Sequence, residues 1–174
     1  APKLLSAIEA RADWFIENGN AQEVANTVWA FATLQTEAPK LLAAIEARSD
    51  WLVENGSTQE VANTAWAFAT LKIEAPKLMA AIEARSDWLV EHGNAQNVAN
   101  TVWAFATLKT EAPKLLSAVE ARADWLVENG NAQSVANTAW AFATLKTGGS
   151  GVLAENGDGD GRVNTVRASG RVRA

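Results

Sequence analysis

Gln22, Asn26 and Trp29 recur in this chain at a fixed interval, as Gln59, Asn63 and Trp66, as Gln96, Asn100 and Trp103, and as Gln133, Asn137 and Trp140. A threonine goes with each set, at Thr33, Thr70, Thr107 and Thr144. Turned through 100° per residue, Gln22, Asn26 and Thr33 fall within about 40° of one another on a helix, with Trp29 beside them. A primary amide both donates and accepts hydrogen bonds, so a column of amides can grip the regular backbone of an extended ligand. Tryptophans alongside can pack the side chains of a peptide or stack bases. Because the copies are identical, such a column would read a repeating feature and not a sequence. A competing reading has Gln22 and Asn26 tying adjacent helices together inside the protein.

Two further series carry possible chemistry. A solenoid that reads bases needs polar positions that differ from unit to unit, and the series Glu23, Glu60, Asn97 and Ser134 does differ. The other reading of that series is helix capping. Arg11, Arg48, Arg85 and Arg122 fall inside an apolar arc, where a guanidinium must be paired or must lie over an aromatic face. Trp14 lies three residues on, and Asp13 of an adjoining unit is a candidate partner. The arginines read as a structural ladder between units or as phosphate contacts along a groove. Lys3, Lys40, Lys77 and Lys114 belong to the polar flank and read as solvated.

Composition removes several chemistries. The 174 residues contain no cysteine, which excludes disulfides, thiolate metal sites and cysteine nucleophiles. The single histidine, His92, stands where the other units carry Asn18, Asn55 and Asn129, so it reads as a surface substitution. No nucleophile–base pair and no glycine-rich phosphate loop occurs within the repeats, and the expectation is a protein that is not an enzyme and carries no cofactor. Net charge is −5 overall. Residues 1–147 hold 11 basic against 17 acidic side chains, and residues 148–174 hold four arginines against three acids. An acidic array counts against undirected phosphate binding, which depends on clustered Lys and Arg. No apolar run approaches the roughly 20 residues of a membrane span. After Thr147 the composition turns to a Gly/Arg-rich tail. There Asn156, Asp158 and Asp160 imitate the start of a calcium loop, but Arg167 stands where a bidentate glutamate is required. The site is a weak calcium candidate, and no other metal site is expected.

The elements that must carry these columns follow from the repeat. Four copies occupy 1–37, 38–74, 75–111 and 112–147, each opening on APKLL or APKLM. A period of this length marks units that cannot fold alone and stack on their neighbours. Proline suits a first helical position, so one helix is predicted from about Pro2 to Asn18, with Gly19 as its left-handed stop. Asn20, Ser57, Asn94 and Asn131 are strong N-caps for a second helix that ends near Leu34, and Glu23 and Glu60 complete capping boxes. The predicted fold is all-α: an αα-hairpin solenoid of four helix-turn-helix repeats over 1–147, followed by a non-helical tail over 148–174. The first unit lacks a polar cap, which predicts truncation, end-to-end association or a covering partner. The chain opens on Ala and shows no signal-peptide pattern, so it reads as processed or as a fragment.

The stretch Gln22–Leu34 (QEVANTVWAFATL), followed by Ala38-Pro39, resembles the octotricopeptide repeat of algal organelle proteins. The resemblance covers 1–147, and its nominal unit is one residue longer than this one. It implies a helical-hairpin fold, single-stranded RNA as ligand and an organellar location, chloroplast or mitochondrion. The amide column also resembles, as an analogy, the asparagine column by which armadillo solenoids hold peptides. Two functions therefore stand side by side. One is a scaffold or assembly subunit gripping an extended protein partner, which the acidic array favours. The other is single-stranded RNA binding, which the octotricopeptide resemblance implies. A designed or recently duplicated array without a ligand would look the same.

Overall fold

A computed structural model describes residues 2–148, and the tail with its calcium-like stretch lies outside the described residues. The described residues form helices joined by short turns, with no strand. Repeat one consists of α1 (Pro2–Ala10), α2 (Ala12–Asn18) and α3 (Ala21–Thr33). Repeat two consists of α4 (Pro39–Ala47), α5 (Ser49–Asn55) and α6 (Thr58–Thr70). Repeat three consists of α7 (Pro76–Ala84), α8 (Ser86–His92) and α9 (Ala95–Thr107), and repeat four of α10 (Pro113–Ala121), α11 (Ala123–Asn129) and α12 (Ala132–Thr147).

The first helix of each unit is therefore not continuous, as the periodicity predicts, but bends at Arg11, Arg48, Arg85 and Arg122. Arg48 sits at φ −111° and ψ 24°, and its N–H turns to the carbonyl three residues back, on Ile45, at 3.0 Å. The stretch contains no Gly or Pro, so its residue types give no warning of the bend. Arg11 bends in the same way although, among the described residues, its guanidinium has no carbonyl acceptor, so the bend does not depend on that contact.

The glycine expectation needs a second correction. Gly19 is extended (φ −82°, ψ 151°), and no described glycine has positive φ. What glycine supplies is room. A Cβ on Gly56 would stand 2.7 Å from the Leu52 carbonyl oxygen and 3.5 Å from Ala21 Cβ of the preceding repeat. The left-handed residues are Gln35, Lys72 and Lys109, at φ 49°, 57° and 53°. Each ends the second helix of its unit. In the first unit the Thr36 N–H reaches the Phe31 carbonyl at 3.0 Å and the Gln35 N–H reaches Ala32 at 3.1 Å. That pair of bonds is the Schellman motif, made here without glycine.

The units stack in two layers. α3, α6, α9 and α12 lie side by side in one layer, and the bent α1–α2, α4–α5, α7–α8 and α10–α11 form the other. Between them runs a continuous core in which Phe31, Phe68 and Phe105 are fully buried together with Leu41, Leu78 and Leu115. Small residues are buried in the first layer, among them Ala67, Ala104 and Thr101. Each buried Phe or Leu contributes about 1.5–3 kcal/mol. The contacts between helices run mainly from one repeat to the next, so the repeats cohere as one stack.

Candidate binding face

The second helix of each unit starts where its cap dictates. Asn20 and Ser57 accept the N–H of Glu23 and Glu60, and each glutamate returns the bond to the cap's own N–H, giving two capping boxes. Asn94 and Asn131 cap the N–H groups of Asn97 and Ser134 at 2.8 Å. These starts set the rotation of α3, α6, α9 and α12, so the same face emerges from each.

That face carries the amide column. Gln22, Gln59, Gln96 and Gln133 are all exposed, while Asn63, Asn100 and Asn137 are half-buried and Asn26 is exposed. Among the described residues none of these eight amide side chains makes a hydrogen bond. Gln22 and Asn26, both exposed, thus make no hydrogen bond to an adjacent helix among the described residues. Trp29 and Trp140 are 46% and 48% exposed, and Trp66 and Trp103 are partly buried against the core. Beside them, the hydroxyls of Thr70 and Thr107 are buried and find no partner.

The varying series occupies a different setting. The carboxylates of Glu23 and Glu60 hold the N-cap amides at 2.9 and 2.8 Å. Asn97 and Ser134 are buried, and Asn97 Nδ2 donates to Thr58 Oγ1 of the preceding repeat at 3.4 Å. These side chains are engaged in capping and in packing between units.

The arginines join units. The guanidiniums of Arg48, Arg85 and Arg122 donate through Nη1 to the carbonyls of Ile16, Val53 and Val90 in the preceding repeat, at 2.5–2.6 Å. Each also lies over the tryptophan three residues on, 4.0–4.3 Å from the ring centre. The partner is thus a backbone carbonyl, where charge considerations point to Asp13. Arg11 stacks on Trp14 at 4.2 Å and, among the described residues, has no carbonyl acceptor. Lys3, Lys40, Lys77 and Lys114 are exposed, as is His92, whose Nδ1 lies 3.0 Å from the Trp88 carbonyl.

One contact between units escapes the sequence reading. Glu9, Glu46 and Glu83 look like surface charge, yet each caps the first helix of the next repeat. Glu9 accepts the N–H groups of Lys40 and Leu41 at 2.6 and 2.9 Å, Glu46 those of Lys77 and Leu78, and Glu83 those of Lys114 and Leu115. A carboxylate there meets free donors and the positive end of the helix dipole. The signal was available: each APK opening has no Ser, Thr, Asp or Asn to cap it, so its donors had to be met from elsewhere. Among the described residues no group of three or more acidic or histidine side chains is placed to hold a metal.

Fold and face together define a helical-repeat solenoid that offers a free, periodic amide and indole surface, joined unit to unit by carboxylate and guanidinium contacts. Its family is that of the RNA-editing substrate-binding complex 6 protein, to which the chain belongs: the family profile matches residues 1–154. Among curated proteins, none matches the chain.

Proposed function

We propose that this chain is a non-catalytic scaffold subunit that holds an extended polypeptide along the Gln/Asn/Trp column. The observation that carries the reading is the column itself: eight amides in register, free of internal hydrogen bonds, flanked by part-exposed indoles. Asn lowers helix stability relative to Ala, and here it stands mid-helix in all four units without a local bond in return. A local rule broken at equivalent positions is what a functional site looks like.

Packing supports the same face. α3, α6, α9 and α12 lie side by side, so the column continues from one unit to the next. An extended chain laid there offers one backbone donor and one acceptor per residue, and an amide can answer both. Residues 1–147 carry excess negative charge, which suits a neutral or basic polypeptide. The family description supports membership of an assembly that handles RNA-editing substrates.

Direct contact with single-stranded RNA is the second reading, and two observations favour it: that family membership and the octotricopeptide resemblance of Gln22–Leu34, which also supports an organellar setting. Against it, the three interior arginines are committed to carbonyls. The test is capture of the native assembly by the wild-type chain and by the Asn63→Ala/Asn100→Ala double variant, at low and high salt, with and without nuclease. A scaffold loses its partner in the double variant and keeps it through nuclease treatment. Affinity that collapses with added salt and vanishes with nuclease would instead establish RNA as the ligand.

A further inference from the structure

We infer that the polypeptide held along the Gln/Asn/Trp column is a proline-rich segment in the polyproline II conformation, meeting each repeat with one turn of its helix. The inference rests on the scaffold reading above and adds the chemistry of the partner. It starts from the donors. Gln59, Asn63 and Trp66, like Gln96, Asn100 and Trp103, make no side-chain hydrogen bond among the described residues. Each unit therefore offers two free primary amides and an indole N–H. Proline contributes a carbonyl and no N–H, and a polyproline II chain makes no internal hydrogen bonds, which leaves its carbonyls open to such donors. The indoles supply the apolar complement, since aromatic-lined grooves are where proline-rich segments dock.

Spacing selects the same conformation. The three junctions between units are alike: a Cβ on Gly56, Gly93 or Gly130 would stand 3.5, 3.6 or 3.5 Å from the Cβ of Ala21, Thr58 or Ala95 in the preceding repeat. Neighbouring packed helices lie roughly 8–10 Å apart. Polyproline II advances about 9.3 Å in three residues and returns to the same face. A β-strand returns to one face only after an even number of residues, at about 6.7 or 13.4 Å, and neither value matches. Charge points the same way. α9 carries no charged residue over Ala95–Thr107, and the only charges within α3 and α6, Glu23 and Glu60, are engaged in their capping boxes. The middle of the face is therefore uncharged, which suits an uncharged segment and not a polyanion.

Titration of the full chain with oligoprolines tests this, with a glycine–serine peptide of equal length and oligouridine as the other arms. Oligoproline affinity should climb with length until the peptide spans all four repeats, at about three residues for each unit. The indole N–H resonances of Trp66 and Trp103 should move on binding, while those of Trp51 and Trp88, on α5 and α8, should stay. Asn63→Ala with Asn100→Ala should weaken binding about tenfold or more at unchanged helicity. Failure of oligoproline to bind, equal affinity for the glycine–serine peptide, or binding that moves only Trp51 and Trp88 overturns the inference. Capture from the native assembly separates this failure from that of the scaffold reading. A nuclease-resistant polypeptide partner without oligoproline binding sinks the polyproline conformation alone; oligouridine binding with nuclease-sensitive capture sinks both.

Discussion

The carboxylate of Glu46 accepts the backbone N–H of Lys77, 31 residues further along the chain, at 2.6 Å. Its second oxygen accepts the N–H of Leu78 at 3.0 Å, so one side chain of repeat two starts the first helix of repeat three. Glu46→Ala leaves both donors without that partner and should lower stability by about 2 kcal/mol. Glu120→Ala, the same change at a carboxylate that caps no helix among the described residues, should cost well under 1 kcal/mol. Urea unfolding midpoints at low protein concentration compare the two; equal losses would show that the carboxylate does not act between repeats.

The arginine ladder makes a parallel comparison. Arg85 bonds the Val53 carbonyl and stacks on Trp88, so Arg85→Ala should cost about 2–3 kcal/mol. Arg11 only stacks on Trp14, and Arg11→Ala should cost about 1 kcal/mol or less. Thermal and urea unfolding would check the ranking; equal losses would show that the stacking, which both arginines make, and not the carbonyl dominates.

Lys72 and Lys109 occupy left-handed backbone that favours glycine. Lys72→Gly and Lys109→Gly should each raise stability by about 0.5–1 kcal/mol, with the relief of the left-handed conformation exceeding glycine's added entropy in the unfolded chain. The midpoint of urea unfolding should rise; a fall would mean that the lysine stems pack usefully where they lie.

Asn63→Ala with Asn100→Ala should leave the fold intact and stabilise it by about 0.5 kcal/mol per site, since each change gains helix propensity and breaks no hydrogen bond. A loss of more than 1 kcal/mol, measured by urea unfolding, would show that the amides serve the stack and not a ligand.

How much of this was legible in the sequence differs by level. The repeat period, the caps at Asn20 and Ser57 and the proline starts are local signals, and they set the helices and the all-α stack. The bend at Arg48 carries no breaker residue, so propensity could not reveal it. The glycine expected as a left-handed stop misled because what requires it, as at Gly56, is the nearby Leu52 carbonyl and a neighbouring repeat, and not a backbone angle. The column Gln59, Asn63 and Trp66 was visible as a pattern, but whether its amides were spent internally depended on where the next unit lay. Glu46 was missed for the same reason. Contacts between units cannot be read within one unit, although the uncapped APK starts showed that something had to meet their donors.

The most direct test of the scaffold reading is site-specific photocrosslinking in the native assembly, with a photoreactive residue at Gln96 and, as a control, at Ala80 on the first helix of the same repeat. The expected result is a nuclease-resistant polypeptide adduct at Gln96 and little or none at Ala80. Adducts that disappear with nuclease, or equal yields at the two positions, would contradict the account.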